Sequence, residues 1–227
     1  MKCYQLRGLQ FVKTYIFSTL CVSSIFLSGC VFGSQAEEEI GGILETAVTE
    51  EEGYVQAQNE LRELEAAEQE LYNEIMALSM EEFETVSELA DEALANLDER
   101  EEQLNAEAEA VNQSSEVFQE VEPLISDLET EELQSHVESM VETMNERYTI
   151  HEDLSAAYAE SLGLNRELYN MLKEEDLELE ELENQITLVN EQNSIIIELN
   201  DDFNEATTEY NELKSAFYEM AEIETEE

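Results

Sequence analysis

Two places in this chain of 227 residues combine residue types that can do chemistry. The first is a thiol. Cys30 closes the run Leu27-Ser28-Gly29-Cys30, behind a long apolar stretch. Small residues at 28 and 29 leave the backbone beside Cys30 uncrowded, and a thiol is a nucleophile when ionised. The second is a break in an apolar stripe. Leu133, Val137, Met140 and Met144 lead to Arg147 and His151, then to Leu154 and Tyr158. Arg147 and His151 fall where helical periodicity expects apolar side chains. Asn193 breaks a later stripe in the same way, and Arg100 lies beside another. A buried cluster of Arg100, Arg147, His151 and Asn193 could bind a ligand. As a polar core layer it would instead pair Arg with Glu or Asp across a bundle and fix helix register. An Arg snorkelling its charge out at a seam edge is the third reading. The polar layer is the favoured one, and His151 suits a hydrogen-bonded core role better than metal ligation.

Other signatures of chemistry are missing from the sequence. It has no G-x-x-x-x-G-K phosphate loop, no G-x-S-x-G nucleophile and no EF-hand loop. A di-iron bundle needs Glu-x-x-His pairs, but the residues three before His136 and His151 are Leu133 and Tyr148. No catalytic residue, metal site or cofactor is therefore expected. Tyr54, Tyr72, Tyr148, Tyr158, Tyr169, Tyr210 and Tyr218 could stack on sugar rings, but at helical spacing they are expected to fill core.

The first 29 residues read as a signal peptide. Lys2, Arg7 and Lys13 precede the apolar run from Tyr15 to Leu27. That run is too short and too rich in Ser and Thr for a membrane span, which needs about 20 apolar residues. Leu27 to Cys30 resembles a bacterial lipobox, which implies cleavage after Gly29 and a lipid thioether, with palmitate-type chains, on Cys30. Two or more acyl chains on one residue anchor stably where one is marginal. Cys3 and Cys21 would leave with the signal, so neither a disulfide nor a free thiol is expected in the mature chain. Residues 30–36 are expected to be a tether.

Charge excludes several partners. The chain holds 58 acidic and 9 basic residues, a formal net charge of −49. After the signal the only basic residues are Arg62, Arg100, Arg147, Arg166, Lys173 and Lys214. Nucleic acid and anionic lipid headgroups need clustered cations that this chain cannot supply. The runs Glu37–Glu39, Glu50–Glu52 and Glu222–Glu227 are expected to be solvated surface, with residues 223–227 an acidic tail. Repulsion among so many carboxylates predicts a need for monovalent or divalent counter-ions.

The elements that must position these residues are helices. One Pro and 7 Gly are too few for the turns of a β or α/β fold. Positions 83, 90, 97, 104, 111, 118 and 125 are apolar at unbroken seven-residue intervals, and so are 182, 189, 196, 203, 210 and 217. Such a repeat sets a seam facing partner helices. Ser79-Met80-Glu81-Glu82 matches a capping box, Thr130 an N-cap, and Pro123 should kink or end a helix. Lys173 to Glu178 should link to the last helix. The expected fold is all-α: an elongated antiparallel bundle of about four long, coiled-coil-like helices over 37–222, with segments near 37–78, 80–122, 130–172 and 179–222. Gly41, Gly42 and Gly53 leave open whether the first segment is two shorter helices. The alternative is an extended dimeric coiled coil.

The chain also resembles the YkyA-type cell-wall-binding lipoproteins of Gram-positive bacteria. The resemblance rests on the lipobox and the Glu37–Ile40, Glu70–Glu102 and Val117–Ile125 stretches. It continues through Glu142–Tyr148, Glu167–Ile186 and Tyr210–Glu219. This sequence departs in charge, with acidic or amide residues where Lys is expected. The resemblance implies a non-enzymatic lipoprotein at the outer face of the plasma membrane, in contact with a cell-wall polymer or an envelope protein. An adaptor or chaperone for a membrane or envelope complex is the other reading.

Overall fold

The computed structural model describes residues 35–223. The signal peptide, the lipobox with Cys30 and the last four residues of the tail lie outside the described residues. Among the described residues there are no strands, and five α-helices follow one another. They are α1 (Gln35–Glu50), α2 (Glu52–Ala77), α3 (Phe83–Phe118), α4 (Glu131–Met171) and α5 (Leu179–Met220). None is long and apolar enough to cross a membrane.

The junctions follow local chemistry. The expected first segment splits at Glu51, between α1 and α2. Helix also begins earlier than the expected end of the tether, at Gln35, because Ala36 is buried with Ile40 and Leu44. A Cβ added at Gly53 would lie 3.2 Å from that of Ala110, so glycine lets α2 approach α3 closely. Ser79 N donates to Glu82 Oε2 at 3.0 Å, closing the predicted capping box ahead of a 3-10 turn, Met80–Glu82, that leads into α3. The expectation that helix runs to 122 is corrected: α3 stops at Phe118, and Gln119–Asp127 winds as a 3-10 helix. Pro123 has no N–H to give and its ring would strike the carbonyl of Gln119 in an α-helix. At the start of α4, Leu133 N donates to Thr130 Oγ1 at 3.1 Å. Beyond α5, Glu222 takes a positive φ of 53°, and Ile223 N bonds Tyr218 O at 3.0 Å. That is a Schellman-type end with glutamate where glycine is usual.

The chain divides into two compact units. The first comprises residues 56–106 and 153–199; the second comprises residues 35–55, 107–152 and 200–223. In the first unit Ala90, Ala93, Leu97, Leu162 and Ile196 form the main core, with Tyr72, Leu168 and Val189 in a smaller cluster. Lys173 pairs with Asp91 and Arg166 with Asp98, so α3 and α4 run antiparallel there. Gln192 and Gln185 reach Ala157 O and Leu164 O at 2.8 Å each, setting α5 antiparallel to α4. In the second unit Ile40, Leu44, Phe118, Val137, Met140 and Phe217 form the main core. His136 lies 2.8 Å from Leu213 O and Arg147 bonds Thr207, again antiparallel. The heptad positions 182, 189, 196, 203, 210 and 217 are all buried.

Candidate functional site: a buried arginine layer in each unit

In the second unit the stripe of α4 delivers Arg147 into the core, where it is 2 % exposed. Its guanidinium grips Glu51 with two parallel bonds, Nη1 to Oε1 at 2.7 Å and Nη2 to Oε2 at 2.8 Å. Nε donates to Thr207 Oγ1 at 2.9 Å, and that hydroxyl donates to Phe203 O at 2.7 Å. Ser114 Oγ donates to Glu51 Oε1 at 3.1 Å and lies 2.9 Å from Tyr148 OH. The guanidinium carbon sits 4.6 Å from the centre of the Phe203 ring. Burial works against the charge of Arg147, but the Glu51 carboxylate outweighs it and lifts the pKa above the ordinary arginine value. Burial first, then the charge of Glu51, raises the pKa of the Tyr148 phenol. His151, one turn on, stands 2.9 Å from Glu107 Oε1, and its ring packs on Phe203 and Tyr54 with centroids 5.6 and 5.9 Å away.

The first unit repeats the idea with a different donor helix. Arg100 of α3 bonds Glu68 through Nη1, and bonds the Tyr158 hydroxyl through Nε at 3.0 Å and Nη2 at 2.7 Å. The Tyr158 hydroxyl donates to Glu65 Oε1 at 2.8 Å, and that of Tyr169 donates to Glu68 Oε1 at 3.1 Å. Burial raises the pKa values of Tyr158 and Tyr169, keeping both phenols neutral donors. Asn193 accepts from Ser161 Oγ at 3.0 Å.

Arg100, Arg147, His151 and Asn193 are all buried, but they do not form the single layer expected from sequence. Arg100 and Asn193 belong to the first unit and Arg147 and His151 to the second. The reason is register: Tyr158, the α4 partner of Arg100, comes eleven residues after Arg147. The carboxylates that complete the layers, Glu51, Glu68 and Glu107, were missed. Glu51 and Glu37 belong to acidic runs expected to be solvated, yet each is 3 % exposed. The missed signal was spacing. Leu44, Ala47, Glu51 and Tyr54 continue one helical stripe, as do Leu61, Glu68, Tyr72 and Ile75.

Chemically, both layers are closed. The Glu51 oxygens are taken by Arg147 and Ser114, and those of Glu68 by Arg100 and Tyr169. Among the described residues no three His, Cys, Asp or Glu side chains are grouped to hold a metal ion. Paired and hydrogen-bonded in this way, the charges fix which side chains meet across the helices.

Fold and layers together define a class: all-helical, with four long helices whose cores are keyed by buried arginine–glutamate pairs. Within that class, the chain belongs to the YkyA family, whose model, described as "putative cell-wall binding lipoprotein", matches residues 35–220. It is 31 % identical over 170 residues to the uncharacterized lipoprotein YkyA of Bacillus subtilis (strain 168), covering 75 % of this chain and 76 % of that one. A crystal structure of a conserved Staphylococcus aureus protein of unknown function shares the fold with a TM-score of 0.68. The match has 15 % identity and covers 80 % of this chain and 93 % of that one.

Proposed function

We propose that this protein is a lipid-anchored extracytoplasmic helical protein with a binding or structural role at the cell wall, and that it performs no catalysis. The observation that carries the reading is the family match over residues 35–220, which begins five residues after Cys30 of the lipobox. The buried seven-residue stripes support coiled-coil-like packing within each unit, suited to presenting a surface rather than enclosing a substrate. Lipid on Cys30 would hold the chain at the outer face of the plasma membrane of a Gram-positive-type cell. The surface is too acidic to be drawn to anionic wall polymers by charge alone, so divalent cations are expected to mediate the contact.

The test is co-sedimentation of the purified mature protein with isolated cell walls across NaCl and Mg²⁺ concentrations. Pelleting that rises with Mg²⁺ is the expected result. No pelleting under any condition removes wall binding. Separately, Cys30→Ala should release the protein from membranes of labelled cells and abolish incorporation of a tagged fatty acid.

A further inference from the structure

We propose that the α4–α5 flank of the first unit is a docking site for a basic amphipathic helix of another protein. This goes beyond wall binding and does not depend on it. Leu179, Leu188, Ile195 and Ile197, all on α5, are the large apolar side chains that the first unit leaves exposed, at 44–48 %. Two of them share a flank. Gln185, Leu188, Gln192 and Ile195 follow at intervals of three and four, so they line one side of the helix. The two glutamines are buried and bond the α4 carbonyls of Leu164 and Ala157, which fixes that side against α4. Leu188 and Ile195 therefore stand at the lip of the α4–α5 junction, two turns or about 10 Å apart.

The rim is acidic on both sides. On α4, Asp153, Glu160 and Glu167 share the stripe of Ala157 and Leu164, and all three are exposed. On α5, exposed Glu191 and Glu198 sit three residues beyond Leu188 and Ile195. Two apolar knobs between rows of carboxylates match a helix with apolar residues two turns apart and Lys or Arg on either side. A second copy of this chain does not supply that face. Arg100 and Arg147 are buried in their layers, and Arg166 and Lys173 are paired with Asp98, Glu101 and Asp91. Arg62 bonds Gln58 O and Asn59, and Lys214 packs over Tyr218. Homotypic contact would set carboxylate against carboxylate, and anionic lipid is repelled in the same way.

The probe is a fluorescent three-heptad peptide with Leu at a and d and Lys elsewhere, titrated against the full chain in neutral detergent and read by anisotropy. A shuffled peptide of the same composition controls for charge alone. The amphipathic peptide should bind about tenfold or more tighter than the shuffled one. Leu188→Gln with Ile195→Gln should erase that advantage, while Leu179→Gln with Ile197→Gln keeps it. Glu160→Lys with Glu191→Lys, which leaves the apolar residues in place, should weaken binding about tenfold or more and flatten its salt dependence. Equal binding of the two peptides, no binding, or indifference to both the Gln and the Lys pairs overturns the proposal. So does sedimentation showing copies of the chain joined through Leu188 and Ile195.

Discussion

Arg147 of α4 and Glu51, the residue between α1 and α2, face each other as fork and carboxylate, with both bonds under 3 Å and both side chains buried. This pair is better described as a key than as glue. Burying two ions costs about as much as their attraction returns, and removal of one ion alone exposes that cost. Glu51→Ala is expected to destabilise the protein by about 3–5 kcal/mol. The pair Glu51→Leu with Arg147→Met should be more stable than either single variant. A urea-unfolding double-mutant cycle checks this, and additive losses would refute it.

Tyr158 is the hinge of the other layer, touching Arg100 and Glu65 through one oxygen. Tyr158→Phe should cost about 1–3 kcal/mol by leaving buried charge short of a partner. Amide exchange should then quicken in residues 56–106 and 153–199, where the core contacts of Arg100 lie. Uniform quickening throughout the chain would show that the layer does not act within its own unit.

Alkaline pH should unfold the protein. Tyr148, Tyr158, Tyr169, Tyr210 and Tyr218 are all raised above the ordinary tyrosine value, each chiefly by burial. The folded phenols thus hold protons that the unfolded chain releases above about pH 10, and stability falls as pH rises through and beyond that point. Lys214, lowered by burial, works in the opposite direction, but it is one group against five. Thermal unfolding should be level from about pH 8 to 9 and drop steeply above about pH 10. A level profile through that range contradicts the reading.

Salt should act the other way. With a net charge of −49, screening relieves repulsion that the folded chain feels more than the unfolded one. The melting temperature is expected to climb with added NaCl, and further with Mg²⁺ at equal ionic strength. Insensitivity to both would mean that surface repulsion is not limiting.

Glu222 holds a left-handed backbone that glycine adopts freely. Glu222→Gly is expected to stabilise the end of α5 by about 1 kcal/mol, measured by urea unfolding. A loss of stability would show that the Glu222 side chain has a role the backbone does not reveal.

The helices were legible because their signals are local. The box at Ser79 and the cap at Thr130 span a few residues, and each step of the unbroken heptads links residues two turns apart on one helix. Arg147 and His151 stood out as polar residues in an apolar stripe. Their partners did not, because Glu51 sits among other glutamates and only its phase with Leu44 and Tyr54 marks it as buried. The division into two units was invisible for a related reason. Its boundaries near residues 55, 106, 152 and 199 fall inside continuous helices; Gly53 stands beside the first, but no glycine or proline announces the other three.

The 3-10 stretch around Pro123 has a geometric effect besides ending α3. Nine residues, Gln119–Asp127, at about three per turn complete about three turns, where an α-helix would make about two and a half. The segment is therefore a phase shifter: it advances the chain by about half a turn before the link to α4, and it buries Val121 while Leu124 and Ile125 are half-covered. Restoring α-helix there would do more than add a hydrogen bond. The phase difference grows by about 20° per residue, so the chain leaving the segment toward α4 would face the opposite side.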